Sequence, residues 1–204
     1  MVEGPIVGIR PVLPGDYVFL EAVESEVTSG ASGVGGRGDD GERRPSSYGF
    51  ELWHRAHVHR LLYRVATGEA IGLVTSYNYS SKNRSAWLST MCKTSKEGRG
   101  EGLAGLGLFI SWLFDQYDLR VLYAESDEVT FGERFARIAE VSGVEECGRL
   151  RRDRLINGTL SDTILLSFQR LEWERGIGRF VRSRAMHGLN STSAVSSLGL
   201  HILE

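Results

Sequence analysis

Residues 93–117, KTSKEGRGEGLAGLGLFISWLFDQY, limit the possible folds of this chain more than any other stretch. A glycine-rich entry, Arg99-Gly100-Glu101-Gly102-Leu103-Ala104, runs without a break into a helical pattern. Leu103, Leu106, Ile110, Leu113, Phe114 and Tyr117 recur at the spacing of one helix face turned to a core. The first N–H groups of a helix have no intrahelical acceptor and lie at the positive end of its dipole. Such an end is a natural seat for an anion, phosphate above all. Gly100 and Gly102, with no Cβ, would let the main chain come close to it. A plain glycine turn ahead of an ordinary core helix would carry the same residues. The elements on either side have to decide.

The stretch lacks Gly-Lys-Ser/Thr and the full G-x-G-x-x-G, which excludes the common triphosphate loop and the dinucleotide fingerprint. A chain of 204 residues is long enough for one domain with one core. Its 24 basic and 26 acidic residues leave a net charge of −2, so no overall basic footprint points to nucleic acid or a membrane surface. There is no apolar run of membrane-spanning length and no secretory leader pattern, and the expectation is a cytoplasmic protein. Cys92 and Cys147 do not make a disulfide framework, and no metal-ligand spacing surrounds them. Both are expected as small core residues, with no metal bound.

Along the chain, residues 6–11 alternate as a strand, and Asp16 after Pro14-Gly15 is placed to cap a helix over 17–25. Residues 28–47, rich in Gly and Ser, read as a flexible insert, either a binding loop or a disordered segment. A short helix over 48–55 is followed by strands at 57–66 and 70–79, joined through Thr67-Gly68-Glu69. A third strand, 85–93, leads into the glycine-rich entry. After the long helix, a strand at 119–126 returns beside it through a helical crossover, so these two should run parallel. A helix around Phe131, Phe135, Ile138 and Ala139 comes next. Strands at 146–155 and 160–169 then pair across Asn157-Gly158. The fold class is α/β in the mixed-sheet sense, with one domain over 1–174 and a poorly ordered tail over 175–204. The tail carries Arg175, Arg179, Arg182 and Arg184, which suits a solvated basic tail better than an acidic partner.

With the glycine entry between an antiparallel meander and a crossover helix, Arg99-x-x-Gly102-x-Ala104 matches a coenzyme A signature, and from about residue 6 to 173 the chain resembles the GNAT N-acetyltransferase superfamily. The branch that acetylates ribosomal-protein N-termini and diamines is the most similar. The blocks that carry the resemblance are Ile9-Arg10-Pro11, Thr67-Gly68-Glu69-Ala70-Ile71-Gly72, Asn83-Arg84-Ser85-Ala86, Arg120-Val121-Leu122-Tyr123-Ala124-Glu125, Glu145-Glu146-Cys147-Gly148-Arg149-Leu150-Arg151 and Glu172-Trp173. The resemblance implies a central mixed sheet whose parallel strands, 85–93 and 119–126, splay apart, flanked by helices. It implies acetyl-CoA as co-substrate and an amine acceptor, either a peptide N-terminus or a small molecule such as a polyamine. It also leaves a homodimer open. Met91, Cys92 and Lys93 would line the pantetheine arm. The N–H groups from Arg99 through Gly105, hence Arg99, Gly100, Glu101, Gly102, Leu103, Ala104 and Gly105, would hold the pyrophosphate. A backbone N–H near Met91 would polarise the thioester carbonyl, where oxyanion charge develops.

The chain departs from the family pattern where the acid–base groups belong. Many relatives carry a glutamate where Trp87 stands, and Ser89, two residues on, can only order a water. After the next strand, Asp127-Glu128-Val129-Thr130-Phe131-Gly132-Glu133 holds neither the Asn nor the Tyr of the family. Thr130 stands for that Asn and is counted with the coenzyme-binding residues. Ser89, Glu125 and Glu133 remain as catalytic candidates. His57 and His59, an i, i+2 pair, would share a strand face but lack a third metal ligand. The absent glutamate and tyrosine keep open a second reading, a module that binds an acyl-coenzyme A or a protein partner without turnover.

Overall fold

The computed structural model describes residues 1–4, 6–30, 56–92, 99–127, 144–156, 158–176 and 178. The helices expected over 48–55 and around 131–139, the glycine-rich segment 31–47 and the tail beyond 178 lie outside the described residues.

Eight strands form one mixed sheet: β1 (Val2–Glu3), β2 (Val7–Arg10), β3 (Ala56–Arg64), β4 (Ala70–Ser80), β5 (Ser85–Cys92), β6 (Val121–Asp127), β7 (Val144–Ile156) and β8 (Thr159–Gln169). Among the described residues, three α-helices accompany them: α1 (Tyr17–Gly30), α2 (Arg99–Gln116) and α3 (Arg170–Arg175). The order across the sheet is β1-β2-β3-β4-β5-β6-β8-β7. All neighbours are antiparallel except β5 and β6, which run parallel because α2 carries the chain over one face between them. The turn from β3 to β4 follows the glycine signal: Gly68 has a φ of +72°, and the Arg64 N–H donates to the Glu69 carbonyl at 2.8 Å.

The two sheet faces have different cores. Under α2, Leu62, Val74, Ala86, Leu88, Leu122, Leu166 and Phe168 meet Phe109, Ile110, Leu113 and Phe114 in one buried cluster. On the other face Leu61 and Leu73, with Met91, meet Leu20 of α1. Consecutive residues such as Leu61 and Leu62 point to opposite sides, as strand geometry requires. Trp173 in α3 closes the larger cluster and donates its Nε1–H to the Ser111 hydroxyl at 3.0 Å.

Several expectations need correction. The first strand is a small hairpin of β1 and β2, pinned where the Gly4 N–H donates to Val7 O at 2.8 Å. Helix α1 runs on to Gly30 and absorbs the first residues of the expected insert. Asp16 does not cap α1 forward. It ends a 3-10 turn, Pro14–Asp16, and its carboxylate accepts from the Leu13 N–H behind it at 2.7 Å and from both Arg10 nitrogens at 2.7 and 2.8 Å. Of the expected stripe of α2, Leu106, Ile110, Leu113, Phe114 and Tyr117 do meet the core, whereas Leu103 is exposed and Phe109, which the spacing had passed over, is fully buried. Cys147 is exposed rather than a core residue, because β7 is the edge strand and its Sγ reaches only the Leu165 carbonyl, at 3.5 Å.

The hydrogen bonds from Arg10, and then from Leu13, hold the Asp16 carboxyl below its ordinary value against the effect of burial. A depressed carboxylate contributes stability that is present above its unfolded value and is lost as pH falls through its folded value. Asp16→Asn should therefore cost roughly 1–2 kcal/mol at neutral pH. In urea unfolding, the difference from wild type should vanish as pH drops well below about 4.

Candidate active site

The parallel pair is the weak seam of the sheet. β5 and β6 are laddered only from Ser85↔Val121 to Leu88↔Ala124. Beyond that, Ser89–Cys92 stays paired to β4 as far as Gly72↔Cys92, and Glu125–Asp127 stays paired to β8 as far as Asp127↔Thr163. Each strand thus keeps its outer ladder and loses its inner one. The facing edges carry main-chain N–H and C=O groups that an extended ligand can pair with as an added strand. Gly72 helps to open the gap. A Cβ there would run into the Met91 carbonyl and lie 2.7 Å from the Cys92 sulfur, so its absence lets the end of β5 lean onto β4.

Helix α2 begins beside this gap. Since it starts at Arg99, the N–H groups of Arg99, Gly100, Glu101 and Gly102 have no acceptor inside it, whereas those of Leu103, Ala104 and Gly105 fall within reach of carbonyls four residues back. The glycines have a second role that the sequence did not reveal. A Cβ on Gly102 would sit 3.0 Å from the Cys92 sulfur, and one on Gly105 would sit 2.8 Å from a Leu62 methyl. Both therefore let the helix press onto β5 and β3. Burial pushes the Cys92 thiol up, so it stays protonated at neutral pH under this helix.

The Glu101 carboxylate is committed to Arg64, whose Nε and Nη2 donate at 2.8 and 3.0 Å. Arg64 also reaches Glu69 in the β3–β4 turn at 2.5 Å. The first turn of α2 is thereby tied to the hairpin beneath it, and the Arg64 guanidinium is held well above its usual value, chiefly by Glu101. Thirty-seven residues separate this pair, and no local spacing announces it.

On the α1 face, two rows of side chains cross the sheet at the seam. The polar row is His59, Thr75 and Ser89, opposite one another in register, with His59 Nδ1 3.2 Å from Thr75 Oγ1. The next row is Tyr77, Trp87 and Tyr123. Glu125 lies on this face across the gap from Ser89, and Arg154 of β7 donates to it at 2.7 Å. Ser89 and Glu125 are thus brought to the two sides of the opening, and Met91 to the edge of β5. Lys93, Thr130 and Glu133 lie outside the described residues, as does the side chain of Arg99.

His57 and His59 do not share a face. The register slips between Ala56↔Tyr77 and Val58↔Ser76, which leaves His57 as an extra residue and turns its ring to the α2 side. There it stacks on Tyr79 at 4.3 Å and meets Tyr117 edge-on at 4.5 Å, and burial lowers its pKa. Arg60, on the same side, lies 4.4 Å from the centre of the Trp112 ring. Among the described residues, no three His, Cys, Asp or Glu side chains gather as a metal site. Nor is any described helix long and apolar enough to cross a membrane.

This architecture, an eight-stranded mixed sheet opened at its one parallel pair, is the fold of the GNAT acetyltransferases, which are its structural neighbours. Mycobacterium smegmatis RimJ, solved with CoA-disulfide, is similar over 90% of this chain and 93% of its own, with a TM-score of 0.65 and 20% identity. The ribosomal-protein-S5-alanine acetyltransferase of Vibrio fischeri matches with a TM-score of 0.59 and 18% identity, over 82% of this chain and 94% of its own. Vibrio cholerae spermidine N-acetyltransferase, solved with CoA and spermine, matches with a TM-score of 0.59 and 18% identity, over 82% of this chain and 97% of its own. No family model and no curated relative matches the sequence.

Arg64 and Glu101 should behave as a unit. Arg64→Gln and Glu101→Gln should each speed amide hydrogen exchange in the first turn of α2, and the double variant should be no worse than either single one. His57 gives a second expectation with the opposite ionic form. Its lowered pKa means that protons bind the unfolded chain first, so its contribution to stability is lost as pH falls below about 6.5. His57→Phe should flatten that decline in urea unfolding between about pH 7.5 and 5.5.

Proposed function

We propose that this protein transfers an acyl group, acetyl in the simplest case, from a coenzyme A thioester to a primary amine. The single observation that carries the reading is the parting of β5 from β6 after Leu88↔Ala124, at the foot of a helix whose first N–H groups are unclaimed by the helix itself. The fold shared with acetyltransferases solved with CoA-disulfide or CoA supports it. Bound acetyl-CoA would supply the activated acyl carbon and a thiolate leaving group.

The residues fit such a ligand. The N–H groups of Arg99 to Gly102 would take the pyrophosphate at the positive end of α2, with Arg64 neutralising Glu101 beside it. The open edge of β5 at Met91 and Cys92 would pair with the pantetheine amides, and the resemblance adds Lys93 and Thr130 to the coenzyme-binding residues. A β5 N–H near Met91 would hold the carbonyl oxygen as it gains charge. In the transfer, the amine nitrogen bonds to the acyl carbon, the carbon–sulfur bond breaks, and the nitrogen gives up a proton. Ser89 would order the water that receives that proton, with Glu125 and Glu133 as the carboxylates in view.

A binder without turnover is the alternative, favoured by one observation: Glu125 is already held by Arg154. Two measurements separate the readings. Isothermal titration should show coenzyme A binding, and Gly102→Leu should weaken it by about tenfold or more, because the added side chain meets Cys92 and lifts the first turn. Thiol release from acetyl-CoA with a panel of amines should rise above the amine-free rate. Binding without such release would leave the non-catalytic reading, and absence of binding would remove both.

A further inference from the structure

One row of side chains on the α1 face runs against its surroundings. On one side of it lies the apolar row Leu61, Leu73 and Met91, and on the other the aromatic row Tyr77, Trp87 and Tyr123. Between them, His59, Thr75 and Ser89 stand opposite one another on three neighbouring strands. Thr75, in the middle, is 5% exposed, at a place where valine would fill nearly the same space. A hydroxyl buried there costs stability unless it is hydrogen-bonded, and His59 Nδ1 lies 3.2 Å from its Oγ1.

The row leads away from the opening. Ser89 is the first residue of β5 beyond the ladder to β6, so it stands at the gap. Thr75 is one strand spacing behind it and His59 two, roughly 10 Å in all. Opposed residues on neighbouring strands have Cβ atoms about 5 Å apart, a separation that two hydroxyls close by rotation about χ1 or through one water. A threonine hydroxyl has one proton to give and two lone pairs to take with. With its own proton given to His59 Nδ1, Thr75 accepts from the Ser89 side. His59 is half-buried, so a proton that arrives there has a way out to solvent.

Building on the acyl-transfer reading above, we propose that Ser89, Thr75 and His59 form a relay that carries the amine's proton out of the gap, with His59 as its terminal acceptor. As the nitrogen bonds to the acyl carbon, the carbon–sulfur electron pair leaves on the thiolate. The nitrogen's proton passes to the water on Ser89, Ser89 gives its own to Thr75, and Thr75 gives its own to Nδ1. The resulting imidazolium loses a proton to solvent, and exchange with water restores the starting tautomer. Among the described residues, the other ionisable groups brought toward this imidazole are Tyr77 on β4, the Arg10–Asp16 pair beyond Leu61, and Tyr17 and Glu21 of α1. Arg60 donates to the His59 carbonyl, and Glu125 and Asp127 lie across the gap. The ordinary values of Tyr, Arg, Asp and Glu fall outside about pH 5–8, so a break in rate within that window reports the imidazole.

The test uses the full-length protein with acetyl-CoA and three amines: spermidine, 2-phenylethylamine and a short peptide with an N-terminal alanine. For each amine that releases thiol, kcat should fall with acidity below a break between about pH 5 and 8. His59→Gln and Thr75→Val should each lower kcat by about tenfold or more and abolish that break. Their double variant should be no slower than either single one, and Thr75→Ser should restore most of the rate. His57→Phe, on the other sheet face, should keep the break. Nitrogen-15 NMR of the histidines, with His59 assigned by its missing signals in His59→Gln, should show Nδ1 unprotonated above the break. Coenzyme A affinity, measured by titration on each variant, should stay at the wild-type value and shows that the variant is folded. A wild-type kcat in His59→Gln or Thr75→Val would overturn the proposal, as would slower variants that keep the break. So would a proton residing on His59 Nδ1 above the break. Absence of thiol release with all three amines would instead strike the acyl-transfer reading, and this proposal with it.

Discussion

Close approach of α2 to the sheet is the constraint on which the rest of the structure depends. Gly102 over Cys92 and Gly105 over Leu62 let a helix backbone lie where side chains would ordinarily hold it off. Its lower half then fills the space with Phe109, Leu113 and Phe114, which anchor the larger core. Because the helix enters from the end of β5 and leaves into β6, its position fixes both strands of the parallel pair. The seam therefore lies directly under the first turn of α2. A helix start whose N–H groups the helix leaves unclaimed and a strand-shaped gap at one spot follow from how the chain crosses over, with no extra element needed.

The arrangement around that seam places carboxylate and imidazole groups on one sheet face. On the α2 side, the residues next to the gap are Leu88, Cys92 and Ala124 together with the hydroxyls of Thr90 and Ser126. On the α1 side they are Ser89 and Glu125, with Thr75 and His59 behind Ser89 and three aromatic rings below. A reacting group in the gap would meet hydroxyls on both sides, but carboxylate and imidazole groups on the α1 side. Local reactivity is thus decided by strand parity, the alternation of side chains that a single-residue register slip would reverse. The slip at His57, at the start of β3, sends that imidazole away from the polar row, and the other slips, such as those at Leu62/Tyr63 and Tyr77/Ser80, leave the row itself in register.

Much of the architecture was legible because its signals are local. Alternation marked β3, β4 and β5, Gly68 marked a turn, and the glycine entry with its apolar run marked α2. The crossover between β5 and β6 followed from the order of elements alone. What escaped was set by contacts distant in sequence. The Arg64–Glu101 pair joins a strand end to a helix start, and nothing near either residue predicts the other. Leu103 was misplaced because Gly102 and Gly105 are silent in a count of apolar residues, yet in the first turns of α2 they are the residues that meet the sheet, leaving Leu103 outside. Asp16 was misread because its partners, Arg10 and the Leu13 N–H, lie before it rather than in the helix after it. At the candidate site, Ser89 and Glu125 could be placed near the opening by strand parity. The Arg154 side chain that occupies Glu125 could not, since it arrives from the far edge of the sheet.

The shortness of the β5–β6 ladder has a mechanical consequence. Among the described residues, four register pairs and the Arg120 N–H bond to the Arg84 carbonyl make the backbone joint between one group, β1 to β5, and another made of β6, β8 and β7. In most sheets the outermost strands are the loosest and the middle is the stiffest. Here the order is inverted, with the softest line running through the centre and a single helix riveted across one side of it. Loads applied to either half concentrate at that line, so the two halves can rock about it like leaves of a book while each keeps its own hydrogen bonds intact.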